Sequence, residues 1–273
     1  SAVSPADAPP QGPDGWIPTI ASGPMSPVTP THPGTDPDRL ARLQAPLPAT
    51  LEAALLALRE RLPASARILA VSKGQPAEAI RAAVQLGQRS FAESRLQEAL
   101  AKQAALADLE PLDWHFIGRL QANKARAVVR QFGTIHSLDS LPLAERLARI
   151  AAEEGRSPVV FMQVKLRPDP AKAGLSADEL RQVWPRLRAL QPLRVAGLMT
   201  IAPLGLDSPE RLALFQECAA LADSLGLPER SMGMSQDWPE AVLAGSTWLR
   251  LGSALFGHRD TGTGSRPAGS GVG

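Results

Sequence analysis

Eight short apolar runs, each joined to the next by a stretch of helical periodicity, constrain this chain more than any other feature. The runs fall at residues 67–71, 89–92, 113–117, 134–137, 159–166, 194–200, 231–234 and 247–251. Between them, apolar residues recur with the 3.6-residue period at 76–86, 96–109, 122–131, 141–154, 177–190, 209–225 and 239–243. Strands that alternate with helices build parallel sheets, because a crossover helix carries the chain back to the start of a parallel neighbour. Eight such units are the number that closes a single (β/α)8 TIM-type barrel, an α/β fold. A doubly wound open sheet is the competing solution, but neither GxGxxG nor GxxxxGK[ST] follows the first strand. Start signals agree with the helices: Pro76 reads as lying just inside the first crossover helix, and Ser176 with Glu179 reads as a capping box.

The flanks differ. Residues 1–48 hold 12 of the 26 prolines and few apolar side chains. That composition cannot bury enough surface to offset chain entropy, so it predicts a disordered Pro-rich extension. Residues 261–273, TGTGSRPAGSGVG, read as a flexible Gly-rich tail, leaving 49–260 as the folded domain. The first lysine or arginine is Arg39 and no apolar stretch precedes it, so the extension is not expected to be a secretory signal or transit peptide. No window approaches about 18 consecutive apolar residues, which argues against a membrane span. A formal charge of +2 without a dense basic run argues against a nucleic-acid partner. The single cysteine, Cys218, allows neither an internal disulfide nor a multi-cysteine zinc site. The expectation is a soluble, cytoplasmic protein.

The chain has no tyrosine, which removes every mechanism that needs a phenol. Its basic residues comprise 24 arginines and five lysines: Lys73, Lys102, Lys124, Lys165 and Lys172. Arginine cannot form an imine, so Schiff-base chemistry must fall on one of these five. Lys73 directly follows the first apolar run, and the carboxyl ends of barrel strands open into the active-site mouth. A partly desolvated amine there is placed to attack an aldehyde; the other reading is an exposed lysine in a βα loop. After the last strand, Gly252, Ser253 and Gly257 let backbone N–H groups approach an anion, with Arg250 as a charged donor. The other reading is a glycine-rich turn with a surface arginine. Ser235, on the neighbouring strand's exit loop, is either a second phosphate donor or the cap of the helix near Pro239. His115 and His136 lie in strands three and four without a carboxylate or third histidine at ligand spacing. They read as hydrogen-bonded interior histidines and not as a metal pair. Arg119, Lys124, Arg126 and Arg130 form a basic helical face without interleaved aromatics, a solvated face by default. Met199, Met232 and Met234 read as core filler.

Taken together, these segments resemble the YggS/PROSC family of pyridoxal-phosphate homeostasis proteins, also described as alanine racemase N-terminal-domain-like. The resemblance rests on Ala70-Val71-Ser72-Lys73, on Trp114-His115-Phe116-Ile117-Gly118-Arg119-Leu120-Gln121-Ala122-Asn123-Lys124 and on His136-Ser137-Leu138-Asp139. It continues through Gly197-Leu198-Met199-Thr200-Ile201, Ser231-Met232-Gly233-Met234-Ser235 and residues 245–257. It implies pyridoxal 5′-phosphate (PLP) held as a Schiff base on Lys73, with Ser235 and the amides around Gly252 and Ser253 on the phosphate and Arg250 near the pyridine ring. Three features depart from the family pattern. Ala92-Glu93-Ser94-Arg95 replaces Gly-Glu-Asn-Tyr, so Ser94 stands where an asparagine would approach the cofactor. Val164-Lys165 replaces Val-Asn, which would bring a second amine to the pocket if Lys165 points inward. The proline-rich extension is the third.

The resemblance implies a non-catalytic PLP-binding protein of vitamin B6 homeostasis, monomeric, whose further partners are apo PLP-dependent enzymes. Two alternatives stand beside it: a diverged scaffold that has lost PLP, and a Schiff-base enzyme, lyase or racemase-like, on the same barrel. The absence of tyrosine and of room for a second domain weighs against classical racemization.

Overall fold

A computed structural model describes residues 36–257 and turns the eight apolar runs into eight parallel strands. They are Arg67–Val71 (β1), Ser90–Glu93 (β2), Asp113–Phe116 (β3), Thr134–Leu138 (β4), Val159–Gln163 (β5), Arg194–Met199 (β6), Glu229–Met234 (β7) and Trp248–Leu251 (β8). Each pairs with its sequence neighbour, and β8 returns to β1 to close the barrel. Closure leaves no unpaired strand edge. Helices Pro37–Gln44 (α1) and Leu51–Arg61 (α2) precede the barrel. The crossovers are Ala77–Gln85 (α3), Leu96–Ala105 (α4), Ala125–Gln131 (α5), Leu141–Glu153 (α6), Ala177–Leu187 (α7), Ser208–Ser224 (α8) and Trp238–Leu243 (α9), and Ser253–Phe256 (α10) follows β8. Among the described residues, no helix is long and apolar enough to cross a membrane.

Period-two alternation sorts the strand residues into two layers. Leu69 and Val71 of β1, Ala92, Phe161, Met199 and Trp248 fill the barrel interior. Ala70, Phe91, Ile135, Val160, Leu198 and Leu249 point outward into the larger sheet–helix layer, against residues such as Ile80, Val128, Leu147 and Phe215.

Several expected boundaries move. The run 159–166 ends as a strand at Gln163, because the chain folds back: Leu175 N–H donates to Gln163 O and Lys165 N–H to Leu175 O. Pro76 is the N-cap of α3 and not its first helical residue. The Ser176–Glu179 capping box forms with both reciprocal bonds. The folded region also starts earlier than 49. Asp36 caps α1 by accepting from Asp38 N–H, Pro37 occupies its first turn, and Leu43 is buried in the outer core. Proline counting hid this helix, because a proline at a helix start is a start signal while one in a linker is not. Residues 1–35 and 258–273, and with them most of the Pro-rich extension and the Gly-rich tail, lie outside the described residues.

At Gly197 the backbones of β6 and β7 come so close that a Cβ would lie 1.9 Å from Glu229 O, whereas a Cβ on Gly133 would meet nothing within 4 Å. Gly197→Ala should therefore cost about 1–3 kcal/mol or more of unfolding free energy in urea, and Gly133→Ala less than about 0.5 kcal/mol. Equal effects would contradict the close approach.

Candidate functional site

At the carboxyl ends of the strands a cleft of about 480 Å³ opens, lined by Lys73, Arg250, Ser235, Gly252 and Ser253. Ile117, Arg211, Met234, Asp237 and the segment from Ala202 to Leu206 are also among its lining residues. Three distant stretches of sequence thus meet where the sequence places them, because β1, β7 and β8 are neighbours in the closed sheet.

Arg250 points from β8 into the interior and is buried, so it is not the surface arginine of the alternative reading. Its Nη1 donates to Ser231 O at 2.7 Å and to Ser231 Oγ at 2.8 Å, and its Nη2 donates to Thr200 O at 2.9 Å. Burial pulls its pKa down to about 10, which leaves it charged at neutral pH. Three of the five guanidinium donors are used in these bonds. The other two make no hydrogen bond among the described residues, and Arg250 lines the cleft.

Ser235 caps a helix, but not the one near Pro239. Its hydroxyl oxygen accepts from Gly252 N–H at 3.2 Å and Ala254 N–H at 3.1 Å, at the start of α10. This gathers a hydroxyl and the first N–H groups of a helical turn at one corner of the cleft; Ser235 occupies those of Gly252 and Ala254 and would yield them to a bound anion.

Lys73 is exposed, so the expected partial desolvation is absent; its side chain follows the interior parity of Leu69 and Val71 but lies beyond the last layer of barrel packing. What is buried is the clamp beneath it. Lys102 of α4 gives its three protons to Ser72 O (2.6 Å), Glu93 Oε1 (2.7 Å) and Glu98 Oε1 (2.7 Å). Ser72 Oγ donates to Glu93 Oε1 at 2.7 Å, and Gly74 N–H donates to Glu98. Gly74 has a φ of 72°, where a Cβ would be strained. Both neighbours of Lys73 are therefore fixed while its own side chain stays free. Burial pushes the Glu93 carboxyl upward against the Lys102 and Ser72 bonds, with a raised pKa as the net result. For Glu98 burial also opposes ionisation, but the Lys102 and Gly74 bonds prevail and its pKa falls. Nothing in the sequence singled out Lys102 beyond its being one of five amines; the Glu98–Lys102 spacing of one helical turn was the readable signal.

Two sequence-singled residues do not join the cleft lining. Ser94 is half-buried beside it, its carbonyl so close to Gly118 that a Cβ there would lie 2.1 Å away. Lys165 lines a separate, smaller recess with Arg167, Asp169 and Lys172. Met234, expected in the core, lines the cleft and is 38% exposed, whereas Met199 and Met232 are buried. His115 and His136 are hydrogen-bonded interior residues: His115 Nδ1 and His136 Nε2 lie 2.8 Å apart. Of the basic helical face, Arg130 and Arg126 are tied to Glu154, the C-cap residue of α6, whose pKa they hold at about 2.

The arrangement offers one free amine, one anion corner and one buried cation on a single cleft, a donor set that fits a phosphorylated aldehyde with a ring acceptor. Comparison with known proteins agrees. The family model for the alanine racemase N-terminal domain matches residues 48–260. The chain is 50% identical over 204 residues to a pyridoxal phosphate homeostasis protein of Synechocystis sp., covering 72% of this chain and 94% of that protein. It is 44% identical to the protein of the same name from Pseudomonas aeruginosa, over 77% of this chain and 91% of that one. Among solved structures, PipY of Synechococcus elongatus with PLP bound superposes with a TM-score of 0.74 at 52% identity, covering 76% of this chain and all of that chain (100%).

The clamp under Lys73 is testable through stability. Lys102→Met leaves the buried Glu93 carboxylate without its cation and should cost about 3–5 kcal/mol at neutral pH. Because Glu93 already has a raised pKa, the folded state binds its proton more tightly than the unfolded state does. Stability linked to this group is therefore full at low pH and declines as pH rises through the folded-state value. The loss on Lys102→Met should accordingly be smaller near pH 5 than near pH 8 in urea titrations, and Glu93→Gln in the same chain should recover part of it. A pH-independent loss would refute this account of the clamp.

Proposed function

Since the chain belongs to the pyridoxal phosphate homeostasis protein family, we propose that it binds PLP in this cleft, as a Schiff base on Lys73, and serves vitamin B6 balance as a carrier and not as an enzyme. One observation carries the reading: Lys73, the Ser235–Gly252–Ser253 corner and Arg250 line the same 480 Å³ cleft. PLP, when bound, supplies an aldehyde that condenses with a primary amine with loss of water, and a ring whose nitrogen, once protonated, withdraws electrons. Lys73 presents the amine from a fixed loop. Lys102 does not compete, since its three protons are already engaged. Ser235 and the N–H groups at the start of α10 receive the phosphate.

Arg250 supports the carrier reading over the enzyme reading. A guanidinium donates hydrogen bonds and accepts none, so it meets a ring nitrogen only in its unprotonated form. That form is a poor electron sink, which supports binding without carbanion chemistry. The absence of any tyrosine supports the same conclusion, because no phenol can serve as a second acid or base. In this reading the chain acts as a monomer, and the takers of PLP are apo PLP-dependent enzymes, reached through the open mouth at which Lys73 is exposed.

Purified protein mixed with PLP should gain a visible absorption band. Borohydride reduction and peptide mapping should then place the adduct on Lys73 and find none in Lys73→Ala. An adduct on Lys165 would mean that the site has been rewired, and no adduct on any lysine would favour a scaffold that has lost PLP. Amino-acid racemization or retro-aldol turnover above the Lys73→Ala background would overturn the non-catalytic part.

A further inference from the structure

A line of polar side chains runs through the barrel interior from Arg250 at the mouth to Asp113 at the opposite rim. Ser231 Oγ lies 2.8 Å from Arg250 Nη1 and 2.8 Å from His136 Nδ1. His136 Nε2 lies 2.8 Å from His115 Nδ1, and His115 Nε2 lies 2.7 Å from Asp113 Oδ2. Ser90 Oγ also donates to that carboxylate, at 2.8 Å. Ser231, His136 and His115 are buried, and only the Asp113 end is half-exposed, at 47%. Phe161 stacks on His136 at 4.5 Å between ring centres, and Trp248 meets His115 edge-on at 4.8 Å. Burying two imidazoles and a hydroxyl in such a core is costlier than filling the space with apolar side chains.

The chemistry of the ends fixes the direction of the whole line. Arg250 can only donate, so Ser231 Oγ accepts from it and gives its single proton to His136 Nδ1. Burial in the apolar interior, with the Arg250 charge beside it, holds His136 well below the usual histidine range, so the ring is neutral. Its one N–H is then Nε2–H, donated to His115 Nδ1. His115 Nδ1 is then the acceptor, so the proton of that ring stands on Nε2, where Asp113 accepts it. Burial works to raise the Asp113 pKa, but the bonds from His115 and Ser90 keep it lowered, so a carboxylate ends the line. The reverse order would leave the Ser231 proton without an acceptor among these groups.

We infer that Asp113, His115, His136 and Ser231 are positioning residues for Arg250, a one-way hydrogen-bond chain anchored at the far rim that holds the guanidinium in place to meet the PLP ring nitrogen. The assignment rests on the PLP reading above. It adds four residues to the binding apparatus, one of them on the face of the barrel opposite the cleft.

The first test needs no PLP. Nitrogen-15 NMR of the histidine rings in the full-length wild-type protein at neutral pH should find both His115 and His136 neutral with the proton on Nε2. A proton on Nδ1 of either ring, or a charged ring, overturns the chain whatever the variants do. The second test uses PLP. His136→Phe, which keeps a ring against Phe161, and Ser231→Ala should each raise the PLP Kd about tenfold, the scale on which groups that orient a binding residue act. Each should also shift the visible band of bound PLP, with Ser231→Thr retaining wild-type behaviour. Folded variants with unchanged Kd and unchanged band would show that the histidines only fill the core. The two readings fail differently: no PLP uptake by wild type sinks the function, whereas uptake indifferent to these variants sinks the relay alone.

Discussion

The pairing of β8 with β1, with Arg250 opposite Leu69 and Leu251 opposite Ala70, sets the geometry of everything at the mouth. It brings the end of β8 beside the end of β1, so that Gly252 stands against Val71 and the Ser253 turn faces the loop that carries Lys73. No local propensity could do this, since the two strands lie at opposite ends of the folded sequence. Closure of the sheet makes first and last strands neighbours, and the anion corner and the amine become one cleft as a result.

Strand parity then separates two buried polar systems by the thickness of one sheet. On the interior side, Leu69 and Val71 share their face with Lys73. On the outer side, Ser72 meets Glu93 and Lys102 between sheet and helix. The outer system holds backbone: it fixes Ser72 and Gly74 on either side of a free side chain. The inner system holds a side chain: Thr200 and Ser231 fix the Arg250 guanidinium. Both bury charge with nearly every donor matched, the condition under which buried charge is tolerated. Glu93 Oε2, which is buried without a partner among the described residues, marks where that matching is incomplete.

For the function proposed above, the features that bear on holding PLP are a fixed loop with a free, exposed lysine and a buried cation that cannot accept a proton. A proton at the ring nitrogen makes a PLP-type ring a stronger electron sink for carbanion chemistry. Arg250, the buried cation lining the cleft, can only donate. Under that proposal, the exposure of Lys73 would leave its adduct open to exchange.

What was legible in the sequence was what depends on short-range pattern. The eight runs and seven helical stretches appear as strands and helices with ends shifted by a few residues, because periods of 2 and 3.6 register which face is buried wherever the chain lies. Lys73, Ser235, Arg250, Gly252 and Ser253 were legible as strand-end residues of a barrel. The fold decided what depends on long-range meeting. It gave Lys102 to Glu93 and Ser72, which lies 30 residues away. It turned Ser235 toward α10 and not α9, and it left Ser94 and Lys165 out of the cleft lining. It also packed Leu43 of a proline-rich stretch into the core. It threaded His136 to Ser231 across 95 residues. A hydrogen bond depends on where two groups stand in space, and spacing along the chain carries that information only within a turn of helix or a pair of strand residues.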